Sequence, residues 1–264
     1  LQDVFAVDTP ENREYVNYLS TGPDLAMRFG SGNHLRIGAR YSRVDYESSP
    51  FDNDRVGGVV GVSHDLSAAA ALSLLGQRES VKFAERDAAR DFDRDAAFAR
   101  YEMRGARTRI QLDGGANRVR IDGDSFSGTL LRLEVSRDMG RYSTASVHVG
   151  RELTESGNAL RFQQNLRDIS LDSLSVPNSP DPYTVKYATL RWDASGRRTR
   201  LFASASIFRE TFVSVLGQDR SRRDFEVGAA RDLGPRLSLR ASGAYRREKR
   251  LDGPDEFREL AVRA

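Results

Sequence analysis

The chain has 264 residues, 39% hydrophobic and 30% charged, with 41 basic residues against 38 acidic and a net charge of +3. Charges of both signs interleave without a long basic block, which argues against a nucleic-acid partner. The longest apolar run, Ser67–Gly76, falls short of the roughly 18 residues of a helical membrane span. Cysteine is absent, which excludes a disulfide framework and thiolate metal sites.

By composition this is a soluble protein; the periodicity says otherwise. Residues 1–19 read as a lead-in or the remnant of an upstream strand. The opening LQDVFAVDTP lacks a basic region followed by an apolar one, so the expectation is a leader already removed or an internal piece. Then alternation begins: Leu35, Ile37, Ala39 and Tyr41; Val56, Val60 and Val62; Ala97, Ala99, Tyr101 and Met103; Ile110 and Leu112; Leu131, Leu133 and Val135; Ala145, Val147 and Val149. It resumes with Leu201, Ala203, Ala205 and Ile207; Phe225, Val227 and Ala229; and Leu237, Leu239, Ala241, Gly243 and Tyr245. Period two is the signature of a strand with one apolar and one polar face. Around Tyr187–Trp192 the parity is less clean, which predicts a bulge or register change. About 12–13 strands are legible, many of them longer than the usual five or six residues.

Turn chemistry falls at Ser31–Asn33, His64–Ser67, Gly105–Ala106, Asp138–Gly140, Asp193–Gly196 and Asp232–Pro235. Between these tight turns the opposite connections read as longer and polar: SSPFDND, AERDAARD, IDGDS, VSVLGQDRS, LDGPDE and a long loop over 154–182. Short turns at one end and long loops at the other predict one all-β domain over residues 1–264, an antiparallel up-and-down transmembrane β-barrel. The last segment stops at Ala264 soon after a loop and without the usual terminal aromatic residue, so the expectation is a part of a larger barrel.

The faces opposite the apolar rows carry Arg36, Arg40, Arg100, Glu102, Arg104, Arg109, Asp113, Arg132, Glu134, Glu152, Glu226, Arg240 and Arg246. A soluble propeller or sandwich also alternates, but a wide barrel with charge on one face of most strands must keep those charges in water. These thirteen are therefore expected to line a lumen, with the apolar rows facing lipid. Eight are basic and five acidic, which predicts a weak preference for anions in an open lumen. Tyr41, Tyr46, Phe83, Tyr142, Tyr183, Trp192, Phe212 and Tyr245 suit interfacial girdles.

Ser20–Ser67 adds a resemblance. Thr21-Gly22-Pro23 opening a strand, Gly38–Tyr41 (Gly-Ala-Arg-Tyr), Asp52–Arg55 (Asp-Asn-Asp-Arg) and the His64–Ser67 turn (His-Asp-Leu-Ser) are similar to outer-membrane β-barrel porins of Gram-negative exopolysaccharide and exosortase gene clusters. The resemblance implies an outer-membrane location and a part in polysaccharide export or secretion. It brings no catalytic residues.

Sites for other chemistry are thin. His34, His64 and His148 are too dispersed for a metal cluster, and Asp122–Ser125 and Phe51–Arg55 lack the complete spacing of a calcium loop. Ser146 and His148 share a strand face, a spacing more often fortuitous than a nucleophile and its base. No cofactor, metal or nucleic acid is expected. Three readings stay open: a porin-like barrel passing a hydrophilic solute such as an acidic exopolysaccharide; a non-conducting scaffold acting through its loops, with inward Arg and Glu paired across strands; and, third, a lipase-type enzyme.

Overall fold

The computed structural model describes residues 16–47, 50–85, 90–154, 182–213, 219–234, 237–251 and 256–263. In chain order the strands are β1 (Val16–Thr21), β2 (Asp24–Phe29), β3 (Asn33–Tyr46), β4 (Asn53–Ser67), β5 (Ala70–Phe83), β6 (Phe92–Arg104) and β7 (Thr108–Ile121). They continue as β8 (Asp124–Asp138), β9 (Ser143–Thr154), β10 (Tyr183–Ser195), β11 (Thr199–Phe212), β12 (Arg220–Gly234), β13 (Leu237–Arg250) and β14 (Glu256–Arg263). From β3 onward each strand pairs antiparallel with the next, so the sheet is an uninterrupted up-and-down meander.

β1 and β2 are halves of one stave. Val16–Thr21 pairs with Tyr46–Tyr41 and Asp24–Phe29 with Gly38–Asn33 in a single continuous register. Gly22 and Pro23 interrupt it. Pro23 has no N–H to give the ladder, although its carbonyl still accepts from the Ala39 amide at 3.1 Å. Gly22 has φ +153°, and a Cβ there would overlap the Ala39 carbonyl. Counting that pair once, the fourteen strands form thirteen staves. The outer two, β1/β2 and β14, run in the same direction and so cannot be each other's antiparallel neighbours.

Of residues 1–19, read as a lead-in or the remnant of an upstream strand, 16–19 are strand: they belong to β1 and pair with β3. Two expectations need correction. IDGDS is a two-residue hairpin: Asp122 and Gly123 have φ +49° and +92°, the left-handed pair that matches strand twist in the tightest turns. No bulge lies in Tyr187–Trp192, since β10 keeps register with both neighbours over its whole length. The register shifts fall instead at turn ends, between Asp65 and Ser67 and between Asp232 and Gly234. Of the long loop expected over 154–182, residues 155–181 lie outside the described residues.

Burial reverses the rule for soluble proteins. Large apolar side chains stand exposed on one face, among them Leu25, Met27, Val56, Val60, Leu74, Leu131, Leu190, Ile207, Phe225 and Leu239. Arg55 and Asp113 are buried on the other. β3 to β13 are 12–15 residues long. At about 3.4 Å per residue and a tilt near 40° they rise roughly 35 Å, more than the ~25 Å apolar band of a membrane barrel. The excess places strand ends above the lipid, where outward-facing charge is tolerated.

Leu133 tests the face assignment. It pairs with Leu112 and Val149, both exposed. Leu133→Arg should cost about 2–4 kcal/mol at mid-depth, read as a lower urea midpoint for folding into detergent or lipid.

Candidate functional site on the inner face

Because side chains alternate, one register fixes the face of every residue in the sheet. Cross-strand partners run Arg100, Asp113, Arg132, Gly150, Tyr187, Phe208, Arg222 and Glu248 from β6 to β13 in a single row. The same parity puts Arg36, Arg40, Glu102, Arg104, Arg109, Glu134, Glu152, Glu226, Arg240 and Arg246 on this face, opposite the apolar belt.

Many of these charges are paired across strands. Arg100 donates to both oxygens of Asp113, at 2.7 and 2.8 Å, and Arg132 lies 3.5 Å from the same carboxylate while also donating to Glu152. Asp113 is 0% exposed and Glu152 2%, so this four-membered ladder holds carboxylates that water does not reach. A second group joins Arg222 and Arg246 to Asp224 at 2.9 and 3.0 Å and Arg220 to Glu210 and Glu248. On the first stave Asp24 takes Arg40 and, at 3.6 Å, Arg36. Glu134 stands 4.0 Å from His148. Glu102, Arg104, Arg109, Glu226 and Arg240 have no ion-pair partner among the described residues.

The register also brings in residues the sequence reading missed. Arg55, Arg94, Arg191, Arg220 and Arg222 join this face, as do Asp24, Glu79, Asp193, Glu210, Asp224 and Glu248. Six acids against five bases cut the excess behind the expected anion preference from three to two, and the remaining strand residues of the same parity, Arg28, Arg200 and Arg250 against Asp65, Asp124, Asp138, Asp232 and Glu259, cancel it. Most lie near strand ends, where both faces are charged and period two loses its apolar marker, as in Arg220–Asp224 of β12.

Between the ion pairs lie aromatic rings over glycines. Phe98 faces Gly115, Tyr187 faces Gly150 and Phe202 faces Gly228, each directly across a strand pair, and a Cβ at any of these glycines would overlap the opposing ring or its backbone. Guanidinium groups lie over the rings: Arg100 and Arg132 at 5.5 and 5.9 Å from Phe98, Arg191 at 5.9 Å from Phe202, Arg222 at 4.7 Å from Phe208. Inward Tyr187 explains the disturbed parity of β10. Four residues expected in girdles also face inward. Tyr183 and Phe212 pack at 5.2 Å, Phe83 and Phe92 at 6.2 Å, and Tyr46 meets Phe51 edge-on at 6.4 Å. Tyr41, Tyr142, Trp192 and Tyr245 are exposed.

Toward the loop end the inner face changes character. Val81, Phe83, Phe92, Val119, Ile121 and Leu153 form a buried cluster joined by Phe51, Phe126 and Val213. Leu153 reaches it because the end of β9 leaves its ladder with β8 and turns over the inner surface. Its carbonyl accepts from Asn117 Nδ2 on β7 at 2.7 Å, across the intervening strand. An apolar layer thus covers the inner wall from β5 to β9 at that end.

The histidines serve as local ties. His34 bonds Asp65 and His64 bonds Asn33, each at 2.9 Å, joining β3 to β4 near their shared turn end. His148 and Ser146 share the inner face of β9. No group of three or more metal-ligating side chains occurs among the described residues.

These contacts decide what a lumen-facing arginine is worth. Arg132→Gln leaves Glu152 and part of Asp113 buried without compensation and should cost about 3–5 kcal/mol. Arg240→Gln, on the same face but unpaired, should be nearly neutral. Equilibrium urea unfolding of the two variants measures the difference.

No family model and no curated protein matches the chain. Solved structures do. The copper transporter OprC superposes with a TM-score of 0.54 at 14% identity, over 89% of this chain and 46% of that one. This is the fold of an outer-membrane β-barrel. The alcaligin outer-membrane receptor FauA of Bordetella pertussis gives a TM-score of 0.47 at 11% identity over 94% and 50% of the two chains. OmpT, an outer-membrane protein of Vibrio cholerae, gives 0.42 at 9% over 94% and 90%. The chain spans about half the length of OprC. With its apolar face outward, it is a wall of the bacterial outer membrane; in such barrels the short turns face the periplasm and the longer loops the outside.

Proposed function

We propose that the chain is a porin-like barrel wall that passes, or helps export, a hydrophilic solute, and that it is not an enzyme. The observation that carries this reading is the inner face itself, with guanidinium and carboxylate groups on successive strands held in place by one another. Such a surface offers fixed donors and acceptors to hydroxyl-rich chains without a large net field. Unpaired Arg104, Arg109 and Arg240 toward the turn end add forked donors that suit the carboxylates of acidic sugars. Together with the resemblance in Ser20–Ser67, this makes an acidic exopolysaccharide or its fragments the solute we propose.

A second reading is favoured by the apolar layer at the loop end. Joined to the charge ladders, it suits a non-conducting scaffold whose loops hold a partner.

Planar-bilayer conductance of the intact barrel separates the two. A transport barrel conducts with little ion selectivity, because acids offset bases on the inner face. Asp113→Asn releases Arg100 wholly and Arg132 partly, so its reversal potential under a salt gradient should move toward the anion value. Absence of conductance in the intact barrel would favour the scaffold.

A further inference from the structure

The outer wall carries a feature unrelated to the lumen. Near the loop end, Arg151 of β9, Lys186 of β10 and Arg209 of β11 are direct cross-strand partners in one outward row. The row continues through Ser221 of β12 to Lys249 of β13, with Arg223 on β12 one step lower. All five basic side chains are exposed. None has an ion-pair partner among the described residues. Like charges directly opposite one another destabilise a strand pair, so nothing in the described wall explains the run Arg151, Lys186 and Arg209; Lys249 alone has a carboxylate opposite it, Glu256 of β14, which is held by Arg247 and Arg258.

The surroundings say what kind of group it suits. Immediately below lie Val149, Ala188 and Ile207, themselves cross-strand partners, and below them the exposed Leu190, Phe225 and Val227 of the lipid-facing belt. At the turn end the outward face of β9 to β13 carries Ala145, Trp192, Leu201, Ala229 and Leu239, with a single basic residue, Arg231, on β12. The basic row is therefore confined to the loop end, the extracellular side in barrels built this way. On β5 to β7, outward charges at the same end are interleaved with acids: Arg78 reaches Asp93 at 3.2 Å and Asp95 at 3.8 Å, Arg120 bonds Asp95, and Arg118 and Lys82 stand directly across from Asp95 and Asp54.

We propose that Arg151, Lys186 and Arg209, with Arg223 and Lys249 beside them, bind the phosphates of a phosphorylated lipid headgroup in the outer leaflet, its acyl chains lying on the apolar row beneath. Neighbouring strands lie about 4.8 Å apart, so three adjacent staves present three cations across roughly 10 Å. Guanidinium forks hold phosphate oxygens in pairs, and the lysine adds a point charge. The inference rests on the barrel's place in the membrane, not on what passes its lumen, and conductance does not enter its test.

The test uses the intact barrel in neutral detergent, with bound lipid quantified by native mass spectrometry. The probes are bisphosphorylated lipid A, the same lipid with its phosphates removed, and inorganic phosphate. The wild-type barrel should prefer the bisphosphorylated lipid at least tenfold. Arg151→Gln/Lys186→Gln/Arg209→Gln should lose that preference, while Arg78→Gln/Arg120→Gln keeps it. Equal retention of the dephosphorylated lipid by wild type would overturn the proposal, even if the triple variant fails to fold. So would undiminished binding by a folded triple variant. Full displacement of the lipid by millimolar inorganic phosphate would make the row a free-anion site and overturn it as well.

Discussion

In hydrocarbon every backbone N–H and C=O must be satisfied within the protein, and the other features of this molecule follow from that requirement. An antiparallel ladder meets it only if the register is unbroken across the lipid, and strict alternation then commits half of every strand to each side. The register shifts of β4/β5 and β12/β13 lie at turn ends, and the one proline inside a stave, Pro23, sits at the outer stave. These are places where a missing or displaced hydrogen bond is tolerated.

Given that ladder, the inner face faces a problem soluble cores avoid. It must hold charges in a curved wall whose side chains converge, and an uncompensated buried charge costs several kcal/mol. The chain meets this by spacing opposite charges across neighbouring strands, so that Asp113 serves Arg100 and Arg132 while Glu152 takes the other side of Arg132. Glycines opposite Phe98, Tyr187 and Phe202 leave room for rings to lie flat against the wall, and the rings in turn shelter the guanidinium stems. Ion pair, ring and glycine form one packing system.

The sequence makes the sheet legible because lipid enforces alternation wherever a strand crosses the apolar band. Leu131, Leu133 and Val135 could be read from spacing alone, and the inward position of Arg132 follows from theirs. Legibility fades at strand ends, outside the band, where Arg220–Asp224 puts charge on both faces and only the partner strand distinguishes Arg222 from Arg223. Pairing is hidden for a different reason. Arg100 and Asp113 are separated by a turn whose length sets which residues meet, and IDGDS shows how a polar stretch that reads as a loop can be a two-residue hairpin once Asp122 adopts a positive φ.

The same contrast separates the two sides of the outer wall. Where outward charges on β5 to β7 rise above the lipid, carboxylates stand on adjacent strands, and Asp93 and Asp95 pair with Arg78 and Arg120. On β9 to β11 the corresponding positions are basic on three successive strands, with apolar residues on the row beneath. Since both regions emerge from the same membrane and obey the same register, backbone geometry does not account for the difference. It resides in side chains that the fold leaves free to vary, which is where a wall common to many barrels acquires a surface of its own.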